Sequence, residues 1–181
     1  MRYLKTIAQS KSCHGPADTV VLQFYQHHAD CPDEMIYEFI GVDTTADGEV
    51  DFLQLGDLNP HAHLEALDLD MRKLGAFANS CLKLNWFNAE GQSQRSLVLY
   101  VDHFGKTKRP NAVKLDFFEI SASGGKTSLI YTAAAYDGDS DGVLESFTNS
   151  DIDRSGVANK ADKELTRSLC TAFLALAWYE V

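Results

Sequence analysis

The stretch Arg95–Tyr136, RSLVLYVDHFGKTKRPNAVKLDFFEISASGGKTSLIYTAAAY, decides the fold class of this chain. Three runs within it alternate between apolar and polar residues, and these are Arg95–Phe104, Ala112–Ile120 and Thr127–Tyr136. A period of two places successive side chains on opposite faces of a β-strand. The connections Gly105–Asn111 and Ser121–Lys126 are shorter than the crossover of about a dozen residues that parallel strands need. The stretch therefore predicts three neighbouring antiparallel strands.

The sequence before this stretch contains further strand-like runs. They alternate in polarity or are rich in β-branched and aromatic residues, and they comprise Thr19–Gln26, Met35–Val42, Glu49–Leu55 and Leu82–Phe87. The segment Asp43–Gly48 (DTTADG) has the Asp and Gly residues of a tight turn, so the runs on either side of it predict a hairpin. The sequence as a whole predicts a sheet of five or more strands.

Two segments have the periodicity of amphipathic helices. Asn59 and Pro60 suit the N-cap and first position of a helix, and the apolar residues that recur behind them at intervals of three and four are Leu64, Leu67, Met71, Leu74, Ala78 and Cys81. The segment Asp162–Glu180 has a wide apolar stripe formed by Leu165, Leu169, Ala172, Phe173, Leu176 and Ala177. We therefore predict one α+β domain over residues 1–181: a mainly antiparallel β-sheet with two packed amphipathic helices, the second of them C-terminal.

Composition and charge limit the classes of partner. Hydrophobic residues make up 45% of the 181 residues and charged residues 23%, which is typical of a globular chain with a core. The 26 acidic residues outnumber the 16 basic ones, giving a net charge of −10. An acidic surface repels phosphate backbones and anionic lipid, so we expect neither nucleic acid nor membrane as a partner. Cations and basic proteins are the partners that this charge favours.

The N-terminal residues and the cysteines predict a cytoplasmic protein. Met1–Ser12 lacks the unbroken apolar stretch of a signal peptide, and no apolar run approaches the roughly 20 residues of a membrane span. The four cysteines form no CxxC motif and are widely scattered, at Cys13, Cys31, Cys81 and Cys170. This scatter is typical of reduced thiols rather than of a disulfide framework.

An acidic loop after the last strand carries the clearest chemical signal. Asp137, Asp139 and Asp141 precede Gly142 in a D-x-D-x-D-G pattern, which resembles the first nine positions of an EF-hand calcium loop. Alternate carboxylates on a sharply turned backbone supply the hard oxygen ligands that Ca²⁺ prefers. The resemblance implies side-chain ligation by the three aspartates and a ligating backbone carbonyl at Val143. The twelfth position is Thr148 rather than the bidentate acid of the family.

A second loop of this type follows at once. Its candidate ligands are Asp151, Asp153, Ser155 and Asp162, where Asp162 occupies the closing twelfth position. These residues predict either a second, adjacent site or the completion of the first. The two loops start only 14 residues apart, which leaves no room for the helices of paired EF-hands. We therefore adopt the loop chemistry and reject the EF-hand fold.

Other interpretations of the acidic residues stay open. Asp, Gly, Ser and Asn also build tight turns without any ion, and this explains Asp43–Gly48, a looser match that continues to Asp51. The first hypothesis is a non-enzymatic domain that binds Ca²⁺ in the region of residues 137–162. The second is an acidic protein of the immunity or inhibitor type that binds a basic protein partner. The third is an enzyme of unknown type, for which the sequence indicates no catalytic residue, since G-x-S-x-G is absent.

Overall fold

One antiparallel sheet and two helices make up the described part of the chain. The structure is a computed structural model, and it describes residues 1–11, 15–58, 70–88, 94–103, 111–121 and 125–180. The strands in these ranges are β1 (Arg2–Gln9), β2 (Thr19–Gln26), β3 (Glu34–Val42), β4 (Phe52–Leu58), β5 (Gln94–Asp102), β6 (Ala112–Ile120), β7 (Thr127–Tyr136) and β8 (Ser146–Phe147). The helices are α1 (Met71–Leu82), α2 (Lys160–Ala175) and a short 3₁₀-helix (Asn85–Phe87). The predicted α+β class, with a C-terminal second helix, is confirmed.

The strand order places the N-terminal strand in the middle of the sheet. The order is β4-β3-β2-β1-β5-β6-β7-β8, and every neighbouring pair is antiparallel. Strand β1 pairs with β2 on one side and with β5 on the other, which joins two antiparallel meanders into one sheet. Strand β1 was not predicted. In its sequence, RYLKTIAQ, polar and apolar residues alternate too weakly to indicate a strand.

Both helices lie against one face of the sheet. The side chains that meet them are fully buried, among them Leu4, Leu22, Phe24, Leu97, Leu99, Leu115 and Phe117. The helices also contact each other, with the rings of Phe77 and Phe173 6.4 Å apart. Burying a Leu or Phe side chain stabilises the fold by about 1.5–3 kcal/mol. This layer of apolar side chains is therefore the main source of stability.

The residues between α1 and β5 correct one predicted strand. Leu82–Phe87 was expected to be extended, but Leu82 ends α1 and Asn85–Phe87 form the 3₁₀-helix. Trp86 is completely buried there, and its indole N–H donates to the carbonyl of Ser96 at 3.3 Å. Leu82, Leu84 and Trp86 alternate with exposed residues as in a strand, but the adjacent Trp86 and Phe87 are both buried, which a strand with one buried face does not allow.

Helix boundaries differ from the predicted ones. The predicted start of the first helix at Asn59–Pro60 lies outside the described residues. The observed helix α1 begins at Met71. Asp70, whose backbone is extended, serves as its N-cap, and the Asp70 side chain accepts a hydrogen bond from the Arg72 N–H. Helix α2 begins at Lys160, slightly before the predicted start, and has Asn159 as its N-cap.

The structure also bears on the cysteines and on membrane-spanning helices. Cys31, Cys81 and Cys170 are free thiols, and the last two are buried; Cys13 lies outside the described residues. None of the helices in the described ranges is both long enough and apolar enough to span a bilayer.

Candidate metal centre

The first acidic loop connects β7 to β8 and gathers four carboxylates. Asp137, Asp139, Asp141 and Glu145 each place a carboxylate oxygen within 4.8 Å of the others. Asp137 directly follows β7 and is buried, whereas the other three acids are exposed. Leu144 is buried in the core, which fixes the returning end of the loop and holds Glu145 beside Asp137. We refer to these four residues as the first acidic cluster.

The backbone of this loop turns around the carboxylate of Asp137. One oxygen of Asp137 accepts the Asp141 N–H at 3.1 Å, and the other accepts the Gly142 N–H at 2.8 Å. Ser140 and Gly142 adopt left-handed conformations with φ of 63° and 97°. Gly tolerates such a φ freely, but a residue with a Cβ does so at a cost. The hydrogen bonds to Asp137 offset that cost at Ser140.

Backbone N–H groups occupy only one oxygen of each exposed acid. Asp139 accepts from the Asp141 N–H, Asp141 from the Val143 N–H, and Glu145 from the Gly138 N–H. The second oxygen of each of these carboxylates has no donor among the described residues. Each of these three acids therefore keeps one oxygen that is available to a ligand.

The second acidic loop repeats the same turn between β8 and α2. Asp151 accepts the N–H groups of Ser155 and Gly156 at 3.0 and 2.8 Å. Arg154 and Gly156 have φ of 60° and 93°, matching the left-handed positions of the first loop. The second acidic cluster consists of Asp151, Asp153 and Asp162, whose carboxylate oxygens lie within 4.8 Å of one another.

Asp162 has a structural role in addition to its place in this cluster. It is buried, and its carboxylate accepts three backbone N–H groups, those of Ile152, Asp153 and Asn159. It stands at the third position of α2 and forms a capping box with Asn159. The N-terminus of α2 thus explains the burial of this charge without any ion.

Other residues of the second loop, Ser155 and Arg154, make contacts that have no counterpart in the first loop. The hydroxyl of Ser155 donates to the Val157 carbonyl at 3.2 Å. Hydrogen bonds from Ser155 hold the pKa of Asp153 below its usual value, so this acid stays ionised. Arg154, in the middle of the loop, lies over the Trp86 ring at 5.4 Å and not among the acids.

The loop between β3 and β4 has the same turn, but its acidic residues accept hydrogen bonds within the loop and do not form a cluster. Asp43 accepts the N–H groups of Ala46 and Gly48, which have φ of 59° and 85°. Asp51 instead accepts hydrogen bonds from Thr44 and Thr45, led by the Thr44 hydroxyl, and these lower its pKa. Among the described residues, no three acids of this loop come together as in the other two. The loop is a hairpin turn, as its sequence indicated.

The structure brings most of the predicted site residues together in two separate clusters. Glu145, which the predicted ligand set did not include, joins the first one. Val143 is 56% exposed and follows the three aspartates. Thr148, the expected weak twelfth position, is held by β7: its hydroxyl accepts the Ala134 N–H at 2.9 Å and donates to the Ala134 carbonyl. Thr148 therefore contributes hydrogen bonds to the edge of the sheet.

Charge repulsion makes the first cluster costly in the absence of a cation. Two unit charges at about 4–5 Å repel by roughly 1 kcal/mol even in bulk water, and by more at a protein surface. The segment from Asp137 to Asp153 contains no basic residue to offset this. These two groups of carboxylates could hold a metal ion. In the first group a cation would relieve the charge repulsion described above.

Comparison with protein-family models, with curated proteins and with solved structures finds no match to this chain.

Proposed function

We propose that this chain is a non-enzymatic domain that binds Ca²⁺ at the first acidic cluster. The observation that carries the proposal is the convergence of four carboxylates within 4.8 Å on one ordered turn. Ca²⁺ takes six to eight oxygen ligands in a flexible geometry. Asp137, Asp139 and Asp141 supply side-chain oxygens, Glu145 supplies a fourth, the Val143 carbonyl adds a backbone ligand, and water completes the shell.

The second cluster is a weaker site in this proposal. Asp151 and Asp153 supply carboxylate oxygens, and the Ser155 hydroxyl and Asp162 complete the set. Asp162 already accepts three N–H groups, which reduces the negative charge that it offers to an ion. Calcium therefore occupies the first cluster at lower concentrations than the second.

Thermal unfolding with and without calcium tests the proposal. With a Kd of about 10⁻⁴ M, at the weak end for such loops, ~1 mM Ca²⁺ stabilises the folded state by about 1.4 kcal/mol. That corresponds to a rise in Tm of about 3 to 6 °C for a domain of this size. Mg²⁺ raises the Tm much less, because it requires a small octahedral site and retains its waters. Calorimetric scans in Ca²⁺, Mg²⁺ and EGTA measure this directly.

Matched variants separate the ion from the turn. Asp139→Asn together with Asp141→Asn removes two charges but keeps an oxygen that accepts the same backbone N–H, so the turn persists and most of the calcium shift disappears. Asp47→Asn is the control, since Asp47 accepts the Glu49 N–H just as Asp141 accepts that of Val143. The control variant keeps the full calcium shift.

Equal melting temperatures of the wild type in Ca²⁺ and in EGTA would contradict the calcium site. The exposed carboxylates of Asp139, Asp141 and Glu145 would then serve as a docking surface for a basic protein. Salt-sensitive binding of a basic protein, lost in the Asp139→Asn, Asp141→Asn variant, would support that second function.

A further inference from the structure

The face of the sheet opposite the helices contains a groove of about 480 Å³. On the central strands most of the buried residues face the helices, and the residues between them, which are mostly half-buried, line the other face together with the buried Ser96. The groove residues on β1, β5 and β6 are Tyr3, Lys5, Ser96, Val98, Tyr100, Asp116, Phe118 and Ile120. Its volume lies in the range of about 300–1,000 Å³ that small-molecule pockets occupy.

The register of the strands sets the order of the groups along the groove. Tyr3 pairs with Tyr100, and one step further along the same face Lys5 pairs with Val98, which in turn pairs with Asp116. At the far end Phe118 lies beside Ser96. The groove therefore has aromatic side chains at both ends and the ammonium group of Lys5 between them.

The near end of the groove is closed by a hydrogen-bonded chain of three side chains. The Tyr3 hydroxyl donates to one oxygen of Asp33 at 2.7 Å, and the other oxygen lies 2.7 Å from Nδ1 of His27. The hydrogen bond from Tyr3 is the main cause that lowers the pKa of Asp33. Both oxygens of this acid are thus engaged by Tyr3 and His27.

Lys5 is the cation of the groove that lacks a carboxylate partner. The ion pairs of the described residues engage Arg72, Arg95, Arg167, His27, His28 and the N-terminal amine, but not Lys5. Asp116, the acid on the groove floor, is partly buried, and desolvation raises its pKa although the Tyr100 hydroxyl and Lys114 oppose this. No lysine of the described residues forms an ion pair with another described residue, and Lys5 differs from the other lysines in that it lines the groove. The charge of Lys5 at this place favours a negative charge from a ligand.

We propose that this groove binds a small organic anion with an apolar body, such as a medium-chain carboxylate. The carboxylate pairs with the ammonium group of Lys5. The apolar body runs from Val98 past Phe118 and reaches Ile120 at the far end. This site is on the opposite face of the sheet from the helices and is independent of the calcium proposal.

Calorimetric titration with sodium decanoate tests this site, with 1-decanol as an uncharged ligand of the same chain length. We expect decanoate to bind about tenfold more tightly than decanol, which corresponds to roughly 1.4 kcal/mol for the added charge pair. Lys5→Met keeps the aliphatic stem and removes the charge, so it abolishes the preference for decanoate. Lys163→Met is the control: Lys163 is exposed on α2, on the opposite side of the sheet from the groove, and its loss leaves the preference intact.

A second variant tests the position of the body. Val98→Phe fills the groove from its floor and is expected to weaken both ligands at least tenfold, while circular dichroism verifies that the variant is folded. Equal affinity of decanoate and decanol for the wild type, an unchanged preference in Lys5→Met, or full binding by a folded Val98→Phe protein would each overturn the proposal.

Discussion

The aspartate at the first position of each loop closes a turn, and in two of the loops it also belongs to a candidate metal site. Asp43, Asp137 and Asp151 each accept the N–H groups that close the same turn, with a left-handed residue two places before a left-handed Gly. The turn forms in the loop that gathers no cluster as well as in the two that do. The turn itself therefore does not require an ion, and the additional carboxylates distinguish the candidate sites.

Asp162 is the residue for which the structural role outweighs the candidate ligand role. Asp162→Asn leaves a single side-chain oxygen to accept three backbone N–H groups. The new amide NH₂ group then faces at least one of these N–H donors, with which it cannot form a hydrogen bond. We expect a loss of about 1–3 kcal/mol in the free energy of unfolding, the cost of leaving buried donors unsatisfied. Urea titration in EGTA measures it in the absence of calcium.

The control for this variant is Glu164→Gln in the same helix. Glu164 is exposed and forms a surface ion pair with Arg167, so its loss leaves the free energy of unfolding nearly unchanged. A loss for Asp162→Asn that appears in calcium but vanishes in EGTA would show that the residue acts as a ligand and not as a cap.

The two helices determine the reactivity of the thiols. Cys81 on α1 and Cys170 on α2 are buried, and desolvation raises the pKa of both thiols well above the usual value. The thiolate is the reactive form, so both should be inert toward Ellman's reagent in the folded protein. Cys31 is exposed and should react readily.

Unfolding in guanidinium chloride without reductant should make all four thiols titratable. A count of two or zero would mean that disulfides form in solution and that the prediction of reduced cysteines is wrong. Rapid reaction of Cys81 and Cys170 in the folded state would show that the helices open from the sheet on that timescale.

At the scale of the whole molecule, local patterns predicted the elements better than their arrangement. The strands Thr19–Gln26 and Ala112–Ile120 begin and end where their alternation does, because along most of their length one face is more buried than the other. The strand predicted at Leu82–Phe87 was wrong, because its alternation of apolar and polar residues also fits the end of α1 and a 3₁₀-helix around the buried Trp86.

The candidate site was partly predictable for the same reason. The D-x-D-x-D-G pattern encodes a turn, and a turn brings alternate side chains together, so the aspartates of the first cluster could be named from sequence. The hydrogen bond between Thr148 and Ala134 of β7 could not be predicted from the sequence, because it depends on the pairing of β8 with β7. The groove on the open face was also invisible, since β1, which carries Tyr3 and Lys5, was not predicted as a strand.

The central position of β1 has a consequence for the order in which the chain folds. Its partner β5 begins at Gln94, so the central pairing of the sheet joins segments far apart in sequence. Non-local pairing of this kind slows folding, and we expect refolding in milliseconds to seconds. Stopped-flow refolding monitored by tryptophan fluorescence measures it, and complete recovery within microseconds would contradict the expectation.

The same strand order matters during synthesis. A ribosome that adds about 5–20 residues per second needs roughly 5 to 20 seconds to travel from β1 to β5. Through that interval the nascent β1–β4 meander has one edge of β1 without a partner and an apolar face without α2. Such an edge pairs readily with other extended chains. The period of greatest exposure to aggregation for this protein thus precedes the emergence of the acidic loops that follow β7 and β8.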